Sequence, residues 1–393
     1  MALTISDIGA VLKKVIAPTI EPQIRKESVL FDKIKRNVGT TIANNQIYIA
    51  ARVGRHSGIY SVAEGTEPRS GKSKYAQPYT SMKYAFGTLE LTDQAISAAT
   101  KGDMKAIASI LTTEIEALKD DIRMDLNRQF HGDGDGKLCL ANGSGSSSTT
   151  LIVDGCPAAG LDGTEYLSEG MYIQIGTGTA VQIASVDSAT QVTLAAASTW
   201  ANDEVVHKAD HAEMMGLAGL IDDGDNLATV QNILRSANPW AKAHTEDTGA
   251  VLTEAQMINL YLKTLRFGGG KVWLMGETLF SKYGQLLTSY KKTADLKEVL
   301  DGGWMGLSFM GGKVGVMLDP DTWDGYAQLV DFDALTLAQM SNPFEWLEAD
   351  AHGGILKRSS SNRTVWEGTL KFYANLVARR FKSSGRLSGK TAS

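Results

Sequence analysis

The sequence has very little cysteine: Cys139 and Cys156 are the only two in 393 residues. They lack CxxC spacing and further thiol partners, which excludes a cysteine-rich zinc cluster and a disulfide-stapled scaffold. Two free thiols are expected in preference to a single Cys139–Cys156 bridge, and a reducing compartment is the default. Long apolar runs are missing too. No stretch approaches the roughly 18 residues that a membrane-spanning helix needs. Lys13 and Lys14 interrupt the first apolar segment, where a signal peptide needs an unbroken one. A charge excess of one sign is also absent: 39 Lys+Arg against 44 Asp+Glu leave −5, which excludes a globally basic nucleic-acid binder.

Catalytic and metal signatures are equally scarce. Phe267-Gly-Gly-Gly-Lys271 lacks the earlier Gly and the following Ser/Thr of a phosphate loop, so it reads as a turn entering a strand. Asp133-Gly-Asp135-Gly lacks the Gly and the bidentate Glu that a calcium loop needs at its sixth and twelfth positions, where Leu138 and Ser144 stand. Asp222-Asp-Gly-Asp-Asn226 is read as a solvated loop ahead of a divalent-cation site. His207 and His211 lie four apart on a linker-like segment, a weak zinc signal. No nucleophile elbow is present and neither cysteine sits in an electropositive motif, so no catalytic residue, metal or cofactor is expected. Trp273, Trp304 and Trp323 read as core anchors.

What is present is ordinary globular composition, 43% hydrophobic and 21% charged, with enough length for two or three domains at about 150 residues each. The charge is segregated along the chain. Residues 1–50 carry +3, 51–100 carry +2, 139–210 carry −7, and 351–393 carry +8. Ile5, Ile8, Leu12 and Val15 place an apolar stripe on a short helix before Pro18 and Pro22. That helix either packs on its own domain or docks on a neighbouring subunit.

From residue 41 the period changes to two, with Ile47, Ile49, Ala51 and Val53 on one strand and Met82, Tyr84 and Phe86 on another. The connection between them, 54–80, is glycine-rich and far longer than a hairpin loop. It is either disordered or a long two-stranded projection. Asp103 is a candidate cap for a helix whose stripe runs Ile107, Leu111, Ile115, Leu118, Ile122, Leu126 and Phe130, ending at Gly132. Such a helix is about 40 Å long. Residues 139–210, with Lys208 their only basic residue, alternate in short runs such as 171–175, 181–183 and 191–194 and predict a small inserted β module. Helices are expected over 226–236, 253–266 and 277–290. Strands are expected at 271–275, 313–318, 327–331 and within 354–381, giving a mixed α+β body that is not doubly wound. The basic end (Lys357, Arg358, Arg363, Lys371, Arg379, Arg380, Lys382, Arg386, Lys390) is either a solvated face or a contact with nucleic acid or an acidic neighbour. Its last residues are expected to fray in a monomer.

The order arm, glycine-rich hairpin, long helix, Gly-Asp-Gly turn, β insertion, α+β domain and strand-rich tail resembles the Hong Kong 97-type major capsid proteins of tailed bacteriophages. Ala63-Glu-Gly-Thr-Glu-Pro68 and Lys83-Tyr-Ala-Phe-Gly-Thr-Leu-Glu-Leu-Thr-Asp93 look like the family's E-loop and return strand. Residues 103–131 look like its spine helix and Gly132-Asp-Gly-Asp-Gly136 like the turn after it. Gly353-Gly-Ile-Leu-Lys-Arg358 and Lys371-Phe-Tyr-Ala-Asn-Leu376 look like its closing peripheral strands.

The resemblance implies an arm at 1–40, an E-loop with flanking strands at 41–100, and a spine helix at 101–138. An inserted β-barrel-like domain follows at 139–210, a return to the peripheral domain at 211–249, an axial domain at 250–345, and peripheral strands with a basic tail at 346–393. It further implies a non-enzymatic subunit that assembles with copies of itself into pentamers and hexamers of a virion shell around double-stranded DNA, in the host bacterial cytoplasm. Portal and separate scaffolding or decoration proteins would be its partners, with no membrane. Assembly contacts are expected from Ile5, Ile8 and Leu12 of the arm; Arg55, Glu64, Glu67, Arg69, Lys72 and Lys74 of the loop; and Arg379, Arg380 and Lys382 of the tail. Lys–Asn cross-links from Lys72 or Lys74 to Asn342 or Asn362 are disfavoured, as no motif demands them. An encapsulin-like compartment, a tail or adaptor component, and an α+β enzyme with a β insertion are the alternatives. The acidic insertion is expected to face outward, away from DNA.

Overall fold

The computed structural model describes residues 29–34, 36–38, 42–94, 104–158, 160–209, 212–288, 307–309, 314–340, 345–347, 356–358 and 364–392. Ile5, Ile8, Leu12, Asp103, His211, Trp304, Asn342 and Asn362 lie outside them. The periodicity of 107–130 is realised as one helix, Met104–His131, which we call the spine helix. Among the described residues no helix is long and apolar enough to cross a membrane.

The spine helix lies beneath a six-stranded sheet organised on Val365–Ala378. Along one edge this strand pairs antiparallel with Lys83–Thr92, the return strand. Along the other it pairs with Leu335–Gln339, Glu345–Trp346 and Leu356–Arg358, and Arg36–Val38 adds in parallel outside Leu335–Gln339. The two-residue period of the return strand sorts its faces: Gly87, Leu89 and Leu91 are buried, whereas Tyr84, Phe86 and Thr88 are exposed. Gly87 is where helix and sheet touch. A Cβ there would stand 2.5 Å from Ile122 Cδ1 and 3.1 Å from Leu118 Cδ1, so a larger residue would have to push both side-chain ends aside. Leu126 and Phe130 of the helix join Leu30, Phe31, Leu337, Phe372 and Leu376 in the core, with Phe31 stacked on Phe130 at 6.1 Å between ring centroids.

Residues 137–208 form a separate sheet in the order Lys137–Leu140, Val205–Lys208, Tyr172–Ile175, Val181–Ser188, Gln191–Trp200, Gly145–Ile152. A bridge between Ala141 and Val153 joins the first strand to the last, closing a barrel around Leu151, Ile173, Ile183, Val192 and Val206. Closure removes the exposed edges that a free sheet would present.

A third sheet runs His244–Glu246, Gly385–Leu387, Ala327–Val330, Val272–Met275, Val314–Leu318, Leu307–Phe309. Helix Glu254–Leu265, started by a reciprocal Thr253–Gln256 capping box, and helix Glu277–Thr288 accompany it. Trp273 is fully buried there among Met257, Tyr261 and Val316. The glycine run before Lys271 is the turn expected from sequence, with Gly268 and Gly269 at φ +114° and +72°.

Three sequence expectations are corrected. The basic end does not fray: Gly385–Leu387 is an interior strand of the third sheet and Lys390–Thr391 pairs in parallel with Ala250–Val251. Arg386 and Lys390 are accordingly 1% and 3% exposed, and take no part in a solvated basic face. Within the 222–226 loop, Asp225 and Asn226 are exposed as expected, and one carboxylate oxygen from each of Asp223, Asp225 and Asp247 lies within 4.8 Å of the other two, but Asp222 is not solvated. It is fully buried, and its carboxylate accepts from Arg235 Nη1 at 3.0 Å and Arg386 Nη2 at 3.2 Å. A carboxylate that neutralises two buried guanidiniums is not available as a cation ligand. The helix expected over 226–236 is instead a small hairpin, Thr229–Val230 with Ile233–Leu234, because Gln231 and Asn232 take positive φ at its tip.

Candidate assembly surfaces

The long connection after residue 54 is a projection with a paired base and an open tip. Ala51–Gly54 pairs antiparallel with Lys74–Ala76. Further out, Ser57 N–H donates to Lys72 O at 3.2 Å and Lys72 N–H donates to Ser57 Oγ at 3.1 Å. The two strands then pass so close that a Cβ on Gly71 would stand 2.0 Å from Gly58 N, which explains glycine at both crossing points. Beyond the crossing, Ile59 is 82% exposed, with Tyr60 and Val62 about half exposed. Arg55, Glu64, Glu67, Arg69, Lys72 and Lys74 are all exposed, and none forms an ion pair with a described residue. Apolar side chains and unneutralised charges on one thin projection leave its surface unsatisfied within the subunit.

The three tail candidates are placed differently. Arg379 is exposed. Arg380 pairs with Asp331 at 3.1 Å, and Lys382 Nζ lies 5.3 Å over the Phe267 ring. Both therefore brace the 267–269 turn of their own chain, apart from the loop charges.

Sequence reading passed over the junction beneath these surfaces. Asn127, fully buried, uses its Oδ1 to accept from the N–H groups of Leu30 (3.0 Å) and Phe31 (3.3 Å). Its Nδ2 donates to Asp319 Oδ1 at 3.2 Å and Asp321 Oδ2 at 2.6 Å. One turn later His131 Nε2 lies 3.0 Å from Asp319 Oδ2, with both side chains fully buried. Tyr166 of the barrel donates to Asp321 Oδ1 at 2.7 Å. Burial pushes the Asp319 carboxyl up, but His131, the Asp321 N–H and Asn127 together hold it below the usual carboxylate range. Four parts of the chain thus meet on two carboxylates: the start of the described chain, the spine helix, the third sheet and the barrel. The available signal was a pair of polar residues at i and i+4 flanking Leu126 and Phe130 of an otherwise apolar stripe.

A second network ties the barrel's exit to the helix. Arg128, almost buried, pairs with Asp125 at 2.9 Å and with Glu213, and donates to Lys137 O at 3.3 Å; Lys208 pairs with Asp125 at 2.8 Å. His207, weighed as a zinc ligand, instead lies 3.1 Å from Asp135 O and 3.3 Å from Asp135 Oδ2. Both thiols are free and buried; burial pushes Cys156 up to about 11 and Cys139 further.

No protein-family model and no curated protein matches the sequence. Solved structures do. The described architecture superposes on the capsid subunit of cyanophage A-1(L) with a TM-score of 0.58 at 13% identity, covering 95% of both chains. The chain has the Hong Kong 97-type capsid fold. A gene transfer agent capsid (TM-score 0.49, 9% identity, 96% and 99% coverage) and the SrpI encapsulin of Synechococcus elongatus PCC 7942 (0.48, 8%, 98% and 96%) also match. We refer to the projection at 54–76 as the E-loop and keep the label spine for the helix Met104–His131.

Proposed function

We propose that this chain is a non-enzymatic structural subunit of an icosahedral bacteriophage head, assembling with copies of itself into the pentamers and hexamers of a shell that encloses double-stranded DNA. The observation that carries the reading is the match over 95% of both chains to a capsid subunit, which spans every layer of the fold. The E-loop supports it, since its apolar tip and unpaired charges have no use within one subunit and every use between subunits. The acidic barrel is placed on the outer face, because −7 over residues 139–210 would repel packaged DNA. Basic residues near the arm, E-loop and tail would meet neighbours or genome. Portal and scaffolding or decoration proteins would complete the particle, built in the host cytoplasm.

Negative-stain microscopy of the expressed protein tests this. Closed polyhedral shells are expected; a persistent monomer with a turnover activity would overturn the reading. A particle map with the barrel in the lumen would overturn its outward placement alone.

A further inference from the structure

The third sheet carries opposite charge at its two ends. Its register puts His244, Gly385, Val272 and Val330 at one end and Glu246, Leu387, Met275 and Ala327 at the other, about 13 Å away for a four-residue strand. Beyond the first end, stretches far apart in sequence converge. Lys382 Nζ lies 5.3 Å over the Phe267 ring, the His244 ring stands 5.8 Å from the same ring, and Arg379 N–H donates to Ala334 O at 2.7 Å. Burial, and then the Lys382 and Lys263 ammoniums, push the His244 imidazole below its ordinary pKa. Two carboxylates at this end are already taken: Asp331 pairs with Arg380 and Asp333 with Lys271. Lys263, Arg266, Arg379 and Lys382 have no acidic partner among the described residues, and the first three are exposed.

The barrel docks on the other end. Ala158 bridges Trp323, Asp324 N–H donates to Pro157 O at 2.6 Å, and Tyr166 donates to Asp321, all on the loop that follows Val314–Leu318. Residues 139–210 bring −7 to that end, and Asp223, Asp225 and Asp247 gather there too. Sequence order hides the pattern, because the cations come from 263–271 and 379–382 and the acids from 139–210 and 223–247. A surface of uncompensated Lys and Arg fits a polyanion, which it holds through phosphates without reading base sequence. An acidic face suits the side turned away from that polyanion. Resting on the shell reading, we propose that the basic end of the third sheet faces the lumen and supplies phosphate contacts to packaged double-stranded DNA, the barrel end facing outward.

Two measurements on the expressed protein test this. In the first, the subunit before assembly is titrated with a short duplex DNA of mixed sequence at several salt concentrations. Binding should weaken with salt, and a Lys263→Gln, Arg266→Gln double variant should lower the log–log slope by about 2 and weaken binding about tenfold at low salt. Both residues are exposed, so melting should not change. The second uses the fact that both native cysteines are buried. Closed shells of Lys263→Cys and of Ser146→Cys are treated with a maleimide on a carrier too large to enter. Ser146→Cys, on the barrel, should label in closed shells, and Lys263→Cys only after the shells are opened. No duplex binding at low salt, a slope unchanged by the double variant, labelling of Lys263→Cys in closed shells, or silence of Ser146→Cys there would each overturn the proposal and leave the shell reading intact. Loss of shells from the double variant with its slope unchanged would assign the surface to a contact between subunits instead. Absence of shells from the unaltered protein would remove the shell reading and this inference with it.

Discussion

Arg386 donates to Asp222 across 164 residues of sequence, at 3.2 Å, with both side chains buried and Arg235 on the other carboxylate oxygen. One anion therefore serves two buried cations. Asp222→Ala should cost about 3–5 kcal/mol, the usual penalty for stranding a buried charge, and Arg386→Met should cost less because Asp222 keeps Arg235. Thermal or urea unfolding of the two variants checks the order.

Asn127 holds the start of the described chain to the spine helix. Asn127→Ala removes one hydrogen-bond partner each from the N–H groups of Leu30 and Phe31 and from Asp319 Oδ1 and Asp321 Oδ2. A loss of about 2–4 kcal/mol is expected, taking roughly 1–3 kcal/mol where a buried group is left without another partner and allowing for local relaxation. Hydrogen exchange should show residues 30 and 31 losing protection before the helix does.

The Asp319 carboxyl, held below its ordinary range, gives a signed pH dependence. Its stabilisation is fully present above the unfolded carboxylate pKa near 3.9 and is lost as pH falls through the lower folded value. The stability gap between the unaltered protein and Asp319→Asn should hold at pH 5–7 and narrow below about pH 4. A gap independent of pH down to 2 would contradict the assignment.

Cys139 and Cys156 should be silent toward a thiol reagent at pH 8 in the folded protein and both react on unfolding. Burial disfavours the thiolate at each, and the Cys156 thiol donates to Asp162 O at 2.9 Å. Rapid labelling of the native chain would refute this.

Assembly should weaken with salt, because the four E-loop cations are exposed and unpaired. Going from about 0.01 M to about 1 M shrinks the Debye length from roughly 30 Å to roughly 3 Å. Charge reversal at Arg69 and Lys72 should reproduce the high-salt behaviour at low salt, read by light scattering; indifference to both would remove charge from the assembly mechanism.

The parts of the fold legible in sequence were those set by local periodicity. The seven apolar residues from Ile107 to Phe130 returned as the spine helix, and the alternation at 82–91 as the return strand. The glycines at 58 and 71 marked a connection whose two strands the sequence alone did not pair. Arg386, Lys390 and Asp222 could not be read locally, since a charged residue looks solvated until its partner, more than 140 positions away, is brought to it. Asn127 and His131 left only a trace, two polar residues on an apolar stripe, whose meaning depends on Asp319 arriving from another sheet.

The position of Gly385–Leu387 between His244–Glu246 and Ala327–Val330 sets an order of events in time. The third sheet gains its inner strand only after residue 387 has been synthesised, and Arg386 then arrives at Asp222. A nascent chain that stops short of it carries a sheet split in two and Arg235 alone on the buried carboxylate. Synthesis past residue 387 is thereby a condition for closing this sheet, and a chain cut before Gly385 should leave His244–Glu246 without a partner strand.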